Sequence, residues 1–106
     1  MNINDAMARL GNNKSLYVRL LKKFDAQTLL DEFLENVKNG DVAAAQGSAH
    51  TIKGLAGNLS LTDLAAKAEA LDTQLKGGDI NVDTAAIELS VAQTIEAVNS
   101  WLAENS

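Results

Sequence analysis

Apolar residues recur every three or four positions along most of the chain, which is the spacing of amphipathic helices. Ile3 to Leu10 predicts a short leading helix closed by Gly11, with Asn12 and Asn13 as turn or cap residues. From Lys14 onward, Leu16, Leu20 and Phe24, then Leu30, Phe33, Leu34 and Val37, keep helical spacing until Asn39-Gly40 ends the run. Asp25 is placed to cap a new helix, so this stretch reads either as one bent helix or as two. Asp41 is a well-placed N-cap for a third segment reaching Gly57-Asn58, with the stripe Val42, Ala45, Ala49, Ile52, Ala56 and Leu59. Ser60 with Asp63 resembles a capping box that opens the next helix. Its stripe is Leu61, Leu64, Ala68, Leu71 and Leu75, and Gly77-Gly78 stop it. Ile87, Val91, Ile95, Val98 and Leu102 mark a last long helix, with Trp101 beside the stripe and expected to cover one end of the core.

Four substantial amphipathic helices with short connections predict an all-α fold, an antiparallel up-down four-helix bundle with a short extra N-terminal helix. No internal repeat, low-complexity segment or linker divides the chain, so residues 1–106 read as one domain. Composition adds that the core is aliphatic: 46% of residues are hydrophobic but only 4% aromatic, and there is no proline to interrupt a helix. The absence of cysteine excludes disulfides, thiolate metal sites and cysteine nucleophiles. A single histidine excludes a multi-histidine zinc or haem site within the chain. A net charge of −5 argues against nucleic acid as the main partner. No apolar run approaches the length of a bilayer, and the N-terminus lacks a signal-peptide pattern, so a cytoplasmic domain acting on proteins or small solutes is expected.

The third segment departs from good helix design. It carries Gly47, Gly54 and Gly57, and an interior glycine costs about 1 kcal/mol relative to alanine. With each residue turned by about 100°, the apolar stripe centres on Ala45, Ala49, Ile52 and Ala56, and His50 lies about 130° away on the solvent margin. Gly47 precedes the histidine by three residues and Gly54 follows it by four, so both adjoin it on the helix surface. Gln46 and Lys53, each about one turn away, add a neutral donor and a cation. An unobstructed imidazole suits reaction with a group held in another protein's active site, and Lys53 suits a phosphoryl group there. The plain alternative is a surface histidine among glycines that permit close helix contact.

The run Ala49-His50-Thr51-Ile52-Lys53-Gly54-Leu55-Ala56-Gly57-Asn58-Leu59 resembles the signature of histidine-containing phosphotransfer (HPt) domains. That family places Lys and Gly three and four residues after a histidine in an Ala-rich helix. Ala8 to Asn13 and Leu16 to Phe24 resemble the family's lead-in, and the likeness is strongest to HPt domains of hybrid sensor kinases. The resemblance implies that His50 accepts the phosphoryl group, Lys53 stabilises it, and Gly54 leaves room for the partner. The family commonly has Gly then Ala where this chain has Ser60 and Leu61, which bears on the turn between helices. A polar side chain from the following helix often hydrogen-bonds the histidine in this family. A hairpin turning near residues 58–62 sets His50 opposite residues 68–72, where only Glu69 and Asp72 are polar. Asp72 matches the family position better, although it is shorter than the expected Gln or Glu. Such a carboxylate would take the Nδ1 proton and leave Nε2 as nucleophile.

The function implied is a phosphocarrier of a multistep two-component phosphorelay, without ATP binding or independent catalysis. One receiver's phosphoaspartate donates to His50 and another receiver's aspartate accepts. No cofactor is expected in this domain, magnesium being supplied by the partner receiver. The expected partners are receiver domains of response regulators or of a hybrid histidine kinase, with no nucleic acid, no membrane insertion and a monomeric chain. Three other readings compete. A sensor-kinase dimerisation helix pair usually has an acidic residue after its histidine and a proline soon after, where this chain has Thr51 and no proline. A non-catalytic helical adaptor would bind a partner without chemistry. A serine hydrolase using His50 lacks a strand-to-helix nucleophile elbow.

Overall fold

A computed structural model describes the chain throughout, residues 1–106, and contains six helices and no strand. They are α1 (Ile3–Arg9), α2 (Lys14–Lys23), α3 (Ala26–Lys38), α4 (Val42–Asn58), α5 (Thr62–Lys76) and α6 (Ala85–Asn105). Local chemistry sets most of the starts. The side chains of Asn2, Asn13, Asp25 and Asp41 accept from the backbone N–H three residues on, at 3.0 to 3.1 Å, satisfying a donor that the first turn would leave unpaired. The Asp25 cap answers the question left open by periodicity: residues 14–38 form two helices, with Phe24 extended between them.

Helices α3 to α6 form the antiparallel four-helix bundle, each packed against its neighbours in sequence and α6 closing back onto α3. The most extensive contact is α4 on α5. Ala45, Ala49, Ile52 and Ala56 of α4 and Leu64, Ala68, Leu71 and Leu75 of α5 are buried there, joined by Leu30 and Phe33 of α3 and Ile87, Val91 and Val98 of α6. α1 and α2 cover the end of the bundle where α4 and α6 terminate. Tyr17 of α2 is fully buried, donates its hydroxyl to the Leu59 carbonyl at 2.6 Å, and meets Trp101 edge-on with ring centroids 5.3 Å apart. Trp101 thus covers one end of the core, as its position beside the last stripe predicts.

The capping box expected at Ser60 and Asp63 does not form. Helix α5 begins at Thr62 without a side-chain cap. Ser60 instead ends α4 in the left-handed conformation, with φ of 57°. The Leu61 N–H bonds the Ala56 carbonyl at 2.9 Å and the Ser60 N–H bonds that of Gly57 at 3.1 Å, the paired bonds of a Schellman turn. Glycine is the usual residue at such a position, which accounts for the glycine that the resembled family commonly has where this chain has Ser60. The serine is buried and tied to α1: its hydroxyl donates to Asp5 Oδ2 at 2.6 Å and its carbonyl accepts from the Asn2 N–H at 2.8 Å. Asp63 turns the other way and accepts from Ser90 of α6 at 2.7 Å. Left-handed backbone costs a non-glycine residue about 1 kcal/mol. Ser60→Ala, which keeps that cost and loses the hydroxyl, is expected to be less stable than the native chain. Ser60→Gly should exceed Ser60→Ala by about 1 kcal/mol in urea denaturation. Equal stability of the two variants would contradict the turn.

Candidate functional site

The face of α4 that does not enter the core carries His50, Gly47, Gly54 and Lys53. The His50 side chain is 65% exposed. Gly47 and Gly54 are both exposed and helical, and a methyl group built on either, or on Gly57, would meet nothing within 4 Å. Close packing between helices therefore does not account for these glycines, the part of the plain alternative that concerned them. What they do is lower the surface around the imidazole to bare backbone. Beside Gly47 a shallow groove runs between α3 and α4, bordered by Leu29, Glu32, Ser48 and Thr51.

Helix α5 supplies the opposing side chains. Asp72 follows Ala68 by four residues and precedes Leu75 by three, so it occupies the apolar stripe and is buried against α4. Its two oxygens have separate partners. Gln46 Nε2 donates to Oδ1 at 2.6 Å, and His50 Nδ1 lies 3.2 Å from Oδ2. These bonds answer the demand that a buried carboxylate be paired. The Gln46 hydrogen bond is the main reason that the Asp72 carboxyl is held below the usual aspartate value, with burial opposing it and the His50 hydrogen bond assisting. The group is ionised at neutral pH, and an ionised carboxylate only accepts. Nδ1 must therefore carry the proton, which places the lone pair of the neutral ring on Nε2. Nε2 makes no hydrogen bond within the chain.

Of the two carboxylates that the sequence left as candidates, Asp72 meets the ring and Glu69 does not. Glu69 is exposed on α5, and its Oε1 lies 3.8 Å from Lys53 Nζ. A surface pair of this kind contributes little and holds the ammonium loosely. Lys53 thus sits one turn beyond the histidine as a cation with a weak tether. Spacing alone gave Gln46 as a neighbour of His50 but not its bond to Asp72. The available signal was a carboxylate within an apolar stripe, facing a long amide on the next helix. No group of three or more His, Cys, Asp or Glu side chains is placed to hold a metal ion, and no helix is long and apolar enough to cross a membrane.

Two expectations concern stability. Gly47→Ala and Gly54→Ala should each stabilise the chain by roughly 0.5–1 kcal/mol, because the methyl group enters open space and the helical backbone is retained. Thermal or urea denaturation measures this, and a loss of stability would show that the glycines are needed by the fold. The second concerns acid. Since folding depresses the Asp72 pKa, its bonds contribute stability that is fully present above the unfolded value of about 4 and is lost as pH falls through the folded value. Asp5, Asp25, Asp63 and Asp79 are also depressed, so Asp72→Asn should make the acid decline of the urea midpoint shallower without abolishing it. An unchanged slope would mean that Asp72 titrates alike in the folded and unfolded chain.

The family model described as Hpt domain matches residues 21–101, a span that includes α3, α4, α5 and most of α6. No curated protein and no solved structure gave a match to the chain. The matched span contains His50, Lys53, Gly54 and Asp72, together with the whole bundle except the end of α6, while α1 and most of α2 precede it. On this match over most of its length the chain belongs to the Hpt domain family, the fold and the recognised span agreeing on where the bundle lies.

Proposed function

We propose that the chain is the intermediate carrier of a multistep phosphorelay, taking a phosphoryl group on His50 Nε2 from one receiver aspartate and giving it to another. Membership of the Hpt family gives it a phosphotransfer role in two-component signalling. The observation that carries the finer reading is the bareness of the surface at His50. An exposed ring, flanked by glycines that touch nothing and oriented from behind by a buried carboxylate, is displayed to a second protein rather than enclosed for a small substrate.

In the proposed reaction the Nε2 lone pair attacks phosphorus, and the bond from phosphorus to the receiver carboxylate breaks with its electron pair returning to that carboxylate. The proton on Nδ1 stays in its hydrogen bond with Asp72. Lys53 leaves Glu69 for the phosphoryl oxygens, and Gly54 with Gly47 lets the receiver's active site close over the ring. The acceptor aspartate and magnesium belong to the receiver, and the chain does its work in the cytoplasm as a monomer. An apolar groove of about 660 Å³ between α2, α3 and the C-terminal part of α4, which includes the exposed Leu55 next to Gly54 in the chain, offers the partner docking area.

The test is incubation with receiver domains charged by acetyl phosphate. An acid-labile, alkali-stable label on the native chain, absent from His50→Gln, is the expected result. A folded chain that no receiver labels would count against the proposal, and a partner bound equally by His50→Gln would favour an adaptor. Lys53→Ala should slow transfer or shorten the life of the label by about tenfold, the effect of one hydrogen bond to a charged group. Gly54→Ala, expected to stabilise the fold, should slow transfer as well.

A further inference from the structure

Asp72 and Lys76 stand four residues apart on α5, the spacing at which helix ion pairs form. Asp63 and Lys67 have the same spacing on the same helix and do pair, at 3.4 Å. Asp72 does not pair with Lys76. Its carboxylate turns away from its own helix toward α4, where Gln46 and His50 each take one oxygen. The Gln46 bond is the shorter of the two, 2.6 Å against 3.2 Å. A carboxylate can only accept, so it is the amide nitrogen of Gln46 that must face it.

Two other groups act on the Asp72 carboxylate, His50 through its ring and Lys76 through its charge. Resting on the phosphotransfer reading above, we propose that Gln46 is a positioning residue for the reaction. It pins Oδ1 of Asp72 so that Oδ2 alone meets Nδ1 of His50, and this selects Nε2 as the nitrogen that takes the phosphoryl group. Gln46 makes no hydrogen bond to the ring and acts through the carboxylate. In the transfer the Nε2–phosphorus bond forms from the ring lone pair and the donor's bond to phosphorus breaks with its electrons leaving on the donor. The ring gains one positive charge, and the Nδ1 proton remains between ring and carboxylate. Nothing is oxidised or reduced. Without the pin, the neutral ring divides between its two tautomers, and the fraction with the proton on Nε2 has no lone pair at the exposed position.

The test uses Gln46→Met in the full chain, a substitution that keeps length and helix propensity but removes the donor. Because His50 is the only histidine, one ring accounts for every imidazole signal in a nitrogen–proton correlation spectrum. At about pH 9, where a histidine ring is neutral, the native chain should show a proton on Nδ1 alone. Gln46→Met should show a several-fold rise in the Nε2-protonated tautomer while circular dichroism stays native. Phosphorylation by phosphoramidate, a small donor that needs no receiver, should be about tenfold slower in the variant, with part of the label on Nδ1. Retention of the native tautomer and of label on Nε2 at the native rate would overturn the positioning role. Should the variant fail to fold, the native chain still decides. Its Gln46 side-chain amide signals should move when His50 is phosphorylated or when Asp72→Asn is introduced, and indifference to both would overturn the role. The tautomer measurement involves no transfer, so failure of receivers to label the native chain would sink the relay reading and leave this result standing by itself.

Discussion

Small side chains let α4 and α5 approach closely, and the chemistry of the site hangs on that approach. Ala45, Ala49 and Ala56 on one helix face Ala68 and a row of leucines on the other, all without exposure to solvent worth the name. Only across so short a gap can an aspartate, with a single methylene, reach two residues of the facing helix. Asp72 does so, and its burial forces both oxygens to find partners. One of those partners is the ring that faces outward. Core packing therefore fixes the position of the proton on a surface histidine, and a loosened interface would alter the ring before it unfolded the chain.

The exposed side of α4 follows a different logic from its buried side. Alanine at the glycine positions would strengthen the helix and obstruct nothing within the chain. The stability forgone is a few kcal/mol at most, a noticeable share of the roughly 5–15 kcal/mol of a small domain. The alanines inside thus serve the contact with α5, while the glycines outside serve none within the chain and, in the proposed relay, leave room for the receiver. The loose Lys53–Glu69 pair fits the same division, since a cation needed by an incoming phosphoryl group is best held weakly beforehand.

Much of this was legible in the chain. The stripes placed the four bundle helices, the capping residues Asp25 and Asp41 marked real starts, and His50 with its glycines and Lys53 stood out from spacing alone. What was not legible depends on distances that periodicity does not set. The stripe of Ala68, Leu71 and Leu75 already turns Asp72 rather than Glu69 toward α4, but that Gln46 and His50 would each take one of its oxygens depends on distances between helices. Ser60 and Asp63 present the pattern of a capping box, yet the turn uses Ser60 to end a helix. The deciding contact is with Asp5, 55 residues earlier in the chain, and local sequence carries no sign of it.

The cover formed by α1 and α2 has a consequence for where the domain's borders are drawn. The family pattern begins at residue 21, after Tyr17 and after every residue of α1. Yet Tyr17 holds the carbonyl at the end of the histidine-bearing helix and shields Trp101 at the opposite end of the sequence. The stretch that sequence comparison recognises holds the four bundle helices apart from the end of α6, while the packed core also takes in Ala6 and Tyr17 from before it. A fragment trimmed to the recognised span would keep the histidine and lose the clasp that joins the first and last thirds of the chain.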